Sequence, residues 1–191
     1  MRDRVPVRER LLKAAADLFY ADGMAATGID AITARAGVAK MSLYNNFASK
    51  AELVNAYLEG RCDEWKTVRQ ARLKDAVTAQ DKVLAVFDSY VDHAEMAYER
   101  GFRGCGLLNA AAELPVGDPG RATVAGQKEE VEALFRLYLT DMLPDDNKRV
   151  NETAEHLSYL LEGAMSRAGL EGHDGRLKSA RRIAVSLLDS L

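Results

Sequence analysis

Helix signals recur along the whole chain, and they limit its possible folds more than any other feature of the sequence. Only four of the 191 residues are proline, so few positions are barred from a helix interior. Apolar residues recur at helical spacing, with glycines and capping residues between the segments, whereas strand signals are weak. The sequence therefore predicts an all-α protein.

The same signals divide the chain into predicted helices. Thr27 and Asp30 have the spacing of a capping arrangement for the second helix. Ser49 and Glu52 form a capping box that opens the fourth helix, which we expect to extend beyond Trp65. The second helix is predicted at about 29–36. The others, apart from the fourth, are predicted at about 7–21, 40–47, 81–100, 107–113, 119–144, 147–168 and 174–191.

The composition is that of an ordinary globular protein, with 48% hydrophobic and 29% charged residues. No apolar run approaches the length of a membrane span, and the charged N-terminal region lacks the apolar stretch of a signal peptide. We therefore expect a cytoplasmic location. Cys62 and Cys105 are too far apart in sequence to indicate a disulfide framework or a metal site.

Charge is distributed unevenly along the chain. Residues 1–50 contain eight basic and five acidic side chains, and residues 51–191 contain eighteen basic and twenty-four acidic ones. A basic first segment on an acidic body is compatible with nucleic-acid binding at one end. The asymmetry is small, and unrelated proteins show as much.

The segment 29–47, IDAITARAGVAKMSLYNNF, follows the logic of a helix-turn-helix. Ile32 and Ala36 face inward from the first of its helices, and Gly37 permits a sharp turn. The second helix is anchored by Val38, Leu43 and Phe47. Its predicted outward residues are Lys40, Met41, Tyr44 and Asn45. A helix of this size fits a DNA major groove, although a generic helical hairpin has the same pattern.

The order of these features resembles the DNA-binding region of the TetR family of regulators. The resemblance begins with LFYADG and Thr27, continues through AGVAKMSLYNNF, and ends with SKAELVNAYL. It covers about fifty residues closely and the rest of the chain only in helical layout. The positions that match the family pattern are Gly37, Val38, Lys40, Leu43, Tyr44, Phe47 and Lys50.

The resemblance implies an N-terminal helix-turn-helix domain at residues 1–48 and a ligand-binding and dimerisation domain at residues 49–191. The implied DNA contacts are to phosphates from Tyr44 and Lys50, to the DNA backbone from Thr27 and Thr33, and to phosphates or base edges from the second helix. The candidates on that helix are Lys40, Met41, Ser42 and Asn45.

Several positions depart from the family pattern. Met41 stands where a small residue is usual, Asn45-Asn46 replaces a common aromatic or histidine pair, and Ala39 replaces a frequent serine cap. These departures leave the operator sequence undetermined. Asn46 is equally compatible with a purely structural hydrogen bond. Arg2, Arg4, Arg8 and Arg10 precede or open the first helix as an arginine-bearing arm, for which a solvated terminus is favoured over entry into a minor groove.

The last two predicted helices carry seams of apolar residues at alternating spacings of three and four. The seam residues are Val150, Ala154, Leu157, Leu161, Ala164 and Ala168, followed by Leu177, Ala180, Ala184, Leu187 and Leu191. Such seams pack helix against helix, either within one chain or between two. The resemblance implies that residues 147–191 form a homodimer interface.

The resemblance also implies a small-molecule site in the larger domain. His93 and Asn109 are candidates to orient a ligand, although plain core packing accounts for most of the bulky residues there and a structural role is common for a lone histidine. The other candidate lining residues are Phe87, Tyr90, Met96, Phe102, Leu107, Leu134, Tyr138 and Tyr159.

We therefore expect a sequence-specific regulator, a repressor that a small-molecule inducer releases from a palindromic operator. An alternative is a thiol-switched regulator that senses electrophiles or oxidants at Cys105, which lies beside Arg103 near a predicted helix start. Against this, a small buried cysteine fits the same position. An architectural DNA binder without a sensor is a further alternative. No motif indicates catalysis, a cofactor or a metal, so we do not expect an enzyme.

Overall fold

The computed structural model describes residues 5–191, and these residues form helices and connecting turns with no strand. The all-α fold class is therefore confirmed. Arg2 and Arg4 lie outside the described residues. The helices are α1 (Val7–Asp22), α2 (Ile29–Ala36), α3 (Lys40–Tyr44), α4 (Lys50–Leu73), α5 (Ala79–Glu95), α6 (Gly106–Glu113), α7 (Pro119–Thr140), α8 (Asn147–Glu171) and α9 (Gly175–Leu188).

The first of two compact units comprises the chain up to Arg61 together with Tyr98–Arg100 and Gly106–Val124. In this unit α1 packs against α2, α3 and α6. Fully buried side chains from α1 to α4 make its core, because the apolar faces of these short helices have no other surface to cover. The largest of these side chains are Leu11, Ile32, Leu43, Phe47, Leu53 and Leu58.

The second unit comprises Cys62–Ala97, Gly101–Cys105 and Ala125–Leu191. Here α9 packs against both α5 and α8. The rings of Phe87 and Phe135 lie 5.7 Å apart between centroids at the centre of the core. The other large side chains that are fully buried there are Leu139, Leu157, Leu161 and Leu177.

Two helix starts show where short-range capping rules succeed and fail. The Ser49 hydroxyl accepts a hydrogen bond from the Glu52 amide at 3.1 Å, as the capping box predicts, while the Glu52 carboxylate reaches the Ala48 amide. The prediction that Thr27 caps α2 is wrong. Gly28 precedes α2, and the Thr27 hydroxyl donates backwards to the Gly23 carbonyl at 2.6 Å.

The predicted start and end of α5 are wrong. A capping box at Thr78 opens this helix, since the Thr78 hydroxyl accepts from the Asp81 amide and the Asp81 carboxylate accepts from the Thr78 amide. These hydrogen bonds also lower the pKa of Asp81. The helix ends at Glu95 because Met96 adopts an extended conformation with a ψ of 151°.

Other helix ends are also corrected. α3 ends at Tyr44 rather than Phe47, and α7 ends at Thr140 rather than near Pro144. α8 extends three residues past the predicted Ala168, to Glu171, where Gly172 takes a left-handed conformation.

Most seam residues of α8 and α9 lie in the core of their own chain, whereas Ala164, Leu187 and Leu191 are half-buried. Leu157, Leu161 and Ala184 are completely buried within one chain. The alternative in which each seam packs in its own protomer is therefore the right one for these residues.

Residues 5–191 contain neither a membrane-spanning helix nor a cluster of metal-ligating side chains. None of these helices combines the length and apolar character that crossing a membrane requires. In the same residues, no group of three or more His, Cys, Asp or Glu side chains is arranged to hold a metal ion.

Candidate nucleic-acid interface

The helices α2 and α3 meet at a sharp turn that Gly37 makes possible. Gly37 has a φ of 61°, the left-handed region that side-chain-bearing residues rarely adopt. The Val38 amide donates to the Thr33 carbonyl at 3.0 Å, so the turn closes directly on the end of α2. Ile32 and Leu43 are fully buried on either side of the turn. Ala36 and Phe47 are buried as well, so the predicted inward residues are confirmed except for Val38, which is half-buried.

The opposite face of α3 is open to solvent. Met41 is 69% exposed and Tyr44 is 47% exposed, although both are large side chains with apolar surface. Lys40 and Asn45 are also exposed, and Ser42 is half-buried. This face thus carries a cation, a hydroxyl and an amide beside an apolar thioether. These groups can bind phosphates, base edges and thymine methyl groups.

Lys40 is engaged by an acidic neighbour. Its Nζ atom lies 2.8 Å from Oδ1 of Asp30 on α2, and both side chains are largely exposed. This hydrogen bond and charge raise the pKa of Lys40. The ammonium retains hydrogen-bonding capacity, because it carries three donors and Asp30 uses one.

Three other predicted contact residues have backbone partners within the protein. Thr27 and Thr33 are buried, and the Thr33 hydroxyl donates to the Ile29 carbonyl at 3.0 Å. Lys50 donates to the Met24 carbonyl at 2.6 Å. The burial of Thr27 and Thr33 argues against direct phosphate contact, and their hydrogen bonds give them a role in shaping the turns. Asn46 also has a structural hydrogen bond, because its side-chain amide donates to the Ser42 carbonyl.

Arg8 and Arg10, which were predicted to belong to a solvated arm, lie in α1 and hold this region together. The Arg10 guanidinium donates to the carbonyl oxygens of Ala36 and Gly37, and the Arg8 guanidinium lies 4.8 Å from the centroid of the Phe47 ring. Both arginines are separated from their partners by more than twenty-five residues. No local spacing rule detects such a contact.

The predicted ligand-lining residues occupy different environments. Leu107 and Asn109 belong to the first unit, and the other eight belong to the second. Tyr159 is 65% exposed on α8 and bonded to Glu155, so it does not line the interior of its own chain. Met96, Asn109 and Leu134 are half-buried. The buried residues are Phe87, Tyr90, His93, Phe102, Leu107 and Tyr138.

A polar cluster lies inside the second unit, and the sequence pattern gave no sign of it. Lys128 pairs with Glu162 at 2.9 Å, and its Nζ atom lies 3.6 Å from Sγ of Cys105. The Tyr90 hydroxyl lies 3.5 Å from Oε1 of Glu162. Burial lowers the pKa of Lys128. The acidic groups around it, Tyr90, Cys105 and Glu162, have the opposite effect, and the net result is a raised pKa. Lys128 therefore stays charged in this setting.

Two glycines place Cys105 beside this cluster. A Cβ on Gly169 would lie 2.7 Å from the Cα atom of Gly104, so the 101–105 loop approaches α8 more closely than any side chain allows. Gly104 also has a φ of 82°. Burial raises the pKa of the other thiol, Cys62, which disfavours its reactive form.

The helices α2 and α3 share a buried core, meet at a glycine in the left-handed conformation, and leave one face of the second helix exposed. These features define a helix-turn-helix protein. Residues 11–57 match the sequence model described as bacterial regulatory proteins, tetR family. A TetR-family regulator from Streptomyces coelicolor is 29% identical with a TM-score of 0.86, over 96% of this chain and 95% of that one. A putative TetR regulator from Streptomyces avermitilis is 30% identical with a TM-score of 0.75, over 96% and 98%. The chain belongs to the TetR family of transcriptional regulators.

One further relative is named as a transcriptional activator. The HTH-type transcriptional activator FasR of Mycolicibacterium smegmatis is 38% identical over 97 residues. The match covers 49% of this chain and 44% of FasR, so the chain matches less than half of that relative's length.

Proposed function

We propose that this protein is a dimeric repressor that reads a palindromic operator with α3 and leaves it when a small molecule binds. The exposed face of α3 carries the proposal. A methionine and a tyrosine stand largely in solvent there while Leu43 of the same helix is fully buried. Lys40, Met41, Ser42, Tyr44 and Asn45 are the proposed contact residues on this face, and Lys50 is a further proposed phosphate contact.

The proposed dimer uses the outer face of α8 and α9. Tyr159 is 65% exposed and Ile183 is 51% exposed, and both line a surface groove of about 340 Å³. Gly163 and Ala164 line the same groove and allow a partner helix to approach closely. Two-fold symmetry would then present two α3 helices to half-sites about one DNA turn apart.

The proposed sensor lies within residues 49–191. We propose these residues as the ligand-binding and dimerisation domain, and residues 1–48 as the DNA-binding domain. In the second unit the aromatic side chains Phe87, Tyr90 and Tyr138 are buried, and the Tyr90 hydroxyl lies 3.5 Å from Oε1 of Glu162, a polar group that could orient a ligand. Oε1 of Gln127 and Oε2 of Glu162 are buried without a hydrogen-bond partner. A buried acceptor left unpaired costs about 1–3 kcal/mol, which favours an occupant that supplies donors.

Selection of binding sites from random duplex DNA tests the DNA-reading proposal. The purified protein is incubated with the pool at a stated near-physiological salt concentration, since affinity depends steeply on salt. We expect enrichment of one inverted repeat. Retention without any enriched sequence would instead indicate a nonspecific or architectural binder.

A reporter gene downstream of the selected operator tests the direction of regulation. We expect lower expression when the protein is present, and recovery when Tyr44→Ala removes a DNA contact. Higher expression with the wild-type protein would make it an activator, as FasR is named.

A second candidate is a thiol-switched regulator, and the 3.6 Å separation of Cys105 Sγ and Lys128 Nζ favours it. An ammonium group at this distance stabilises a thiolate, which is the reactive form of cysteine. Conjugate addition of the sulfur to an enone, with proton transfer to the carbon beside the carbonyl, would introduce a covalent group at this cluster. Cys105→Ser should then abolish operator release by an enone probe, and unchanged release would exclude this candidate.

A further inference from the structure

The α1–α2 turn, residues 23–28, is held by a carboxylate that lies almost ninety residues away in sequence. Glu113, the last residue of α6, accepts the Met24 amide on Oε1 at 3.0 Å and the Ala25 amide on Oε2 at 2.6 Å. Both oxygens are used, one for each of two consecutive peptide groups. The contact therefore fixes the orientation of the turn as well as its position.

The turn is shaped to approach this carboxylate. Gly23 has a φ of 90°, and a Cβ there would lie 2.9 Å from Oε1 of Glu113. Side-chain-bearing residues rarely adopt this φ, and the added atom would also press on the carboxylate. Glycine at this position thus allows the backbone to reach Glu113.

The peptide groups of the turn are also held from other sides. Lys50 at the start of α4 donates to the Met24 carbonyl at 2.6 Å, so Met24 is held through its N–H by α6 and through its C=O by α4. The Thr27 hydroxyl donates to the Gly23 carbonyl. Hydrogen bonds to charged groups are stronger than those between neutral groups, and this turn receives three of them.

The end of α6 is itself anchored. The Arg121 guanidinium donates to the Ala111 carbonyl at 2.8 Å and to the Leu114 carbonyl at 3.3 Å. These bonds connect the last turn of α6 to the first turns of α7. Glu113 therefore projects from a fixed helix end, which makes it suited to position the turn that it contacts.

We propose that Glu113 is a positioning residue for DNA reading. It sets the α1–α2 turn, and this turn leads through Gly28 directly into α2 and then α3. The inference rests on the proposed function, because it assigns Glu113 a role in operator binding. In this role Glu113 contacts no DNA and acts only through the backbone of Met24 and Ala25.

A graded set of variants tests this role. Glu113→Ala removes both acceptors, Glu113→Gln keeps one neutral oxygen, and Glu59→Ala removes an exposed carboxylate of α4 as a control. We expect affinity for the selected operator to fall about tenfold in Glu113→Ala, less in Glu113→Gln and within twofold in the control. Affinity for a scrambled duplex should change by less than twofold in every variant, since phosphate contacts need no accurate placement of α3.

Two readouts separate positioning from a general effect on folding. A smaller folded fraction would reduce operator and scrambled-DNA binding equally, whereas a misplaced α3 lowers only the ratio between them. Backbone amide exchange, measured by NMR, should accelerate at Met24 and Ala25 in Glu113→Ala and less in Glu113→Gln.

Either of two results would overturn the inference. If the exchange of both amides is unchanged, the contact does not hold the turn. If exchange accelerates but the affinity ratio is preserved, the contact exists without positioning α3. Failure of the wild-type protein to select any DNA sequence would count against the proposed function and against this role, while the exchange measurement would still show whether the contact itself forms.

Discussion

Arg10 of α1 donates a hydrogen bond to the carbonyl oxygen of Gly37, 2.8 Å away in the turn of the helix-turn-helix. The same guanidinium nitrogen donates to the Ala36 carbonyl. These carbonyls lie at the C-terminal end of α2, where a helix has unpaired acceptors and a partial negative charge. Arg10 therefore supplies hydrogen bonds to carbonyl groups at the end of α2 and connects the turn to α1.

Replacing Arg10 should destabilise the protein. We expect Arg10→Ala to lower the free energy of unfolding by about 1–2 kcal/mol, because charge-assisted hydrogen bonds to two carbonyls are lost at a half-buried position. Denaturant titration followed by circular dichroism measures the change. Lys13→Ala is the matched control, since Lys13 is a cation of the same helix with a 79% exposed side chain. Equal stability of the two variants would show that the Arg10 contacts contribute nothing.

Tyr44 should contribute affinity without sequence preference. We expect Tyr44→Phe to weaken binding to the operator and to scrambled DNA alike, by about fivefold, because one hydroxyl-to-phosphate hydrogen bond is lost. Fluorescence anisotropy on both duplexes measures the two affinities. An effect confined to the operator would instead place the Tyr44 hydroxyl on a base edge.

The ion pair between Asp30 and Lys40 should restrain DNA binding. Asp30→Asn removes a negative charge beside the proposed interface and frees Lys40 for a phosphate. We expect affinity to rise by roughly threefold and the slope of log affinity against log salt to steepen by up to about one unit. Asp17→Asn on α1 is the control for charge alone. Weaker binding by Asp30→Asn would show that this pair orients Lys40 for DNA.

A charge on the outer face of α9 should separate the protomers. We expect Ile183→Glu to raise the dimer dissociation constant at least about 100-fold, because an unpaired carboxylate would be buried in the interface. Leu137→Glu on α7 is the matched control, since Leu137 is 61% exposed but does not line the α8–α9 groove. Analytical ultracentrifugation gives both constants. A dimer that tolerates Ile183→Glu would place the interface elsewhere.

The helix-turn-helix was predictable because its determinants are local. Gly37 is needed for a left-handed turn, and Ile32, Leu43 and Phe47 are spaced so that each faces inward. The bounds of α2 were predicted to the residue for the same reason. Local rules failed at Thr27, where the hydroxyl had a choice of backbone partners and bonded to the preceding turn.

The remaining features depend on contacts distant in sequence. The sequence around Arg10 and Glu113 does not indicate that their side chains form hydrogen bonds with backbone groups of distant turns. The pairing of Lys128 with Glu162 brings together two helices whose individual patterns are ordinary. The seams of α8 and α9 show a related limit, because a periodic apolar face predicts that it is covered but does not identify which helix covers it.

Site selection by the wild-type protein and by Asn45→Ala, run in parallel on random duplex DNA, tests the central claim that α3 reads the operator. Asn45 is an exposed amide at the end of α3, a type of side chain that pairs with adenine. We expect an inverted repeat for the wild-type protein, and the same repeat with relaxed preference at one symmetric pair of positions for the variant. An identical motif from both proteins would contradict the assignment of Asn45 to a base, and the absence of any enriched motif from the wild-type protein would contradict the claim itself.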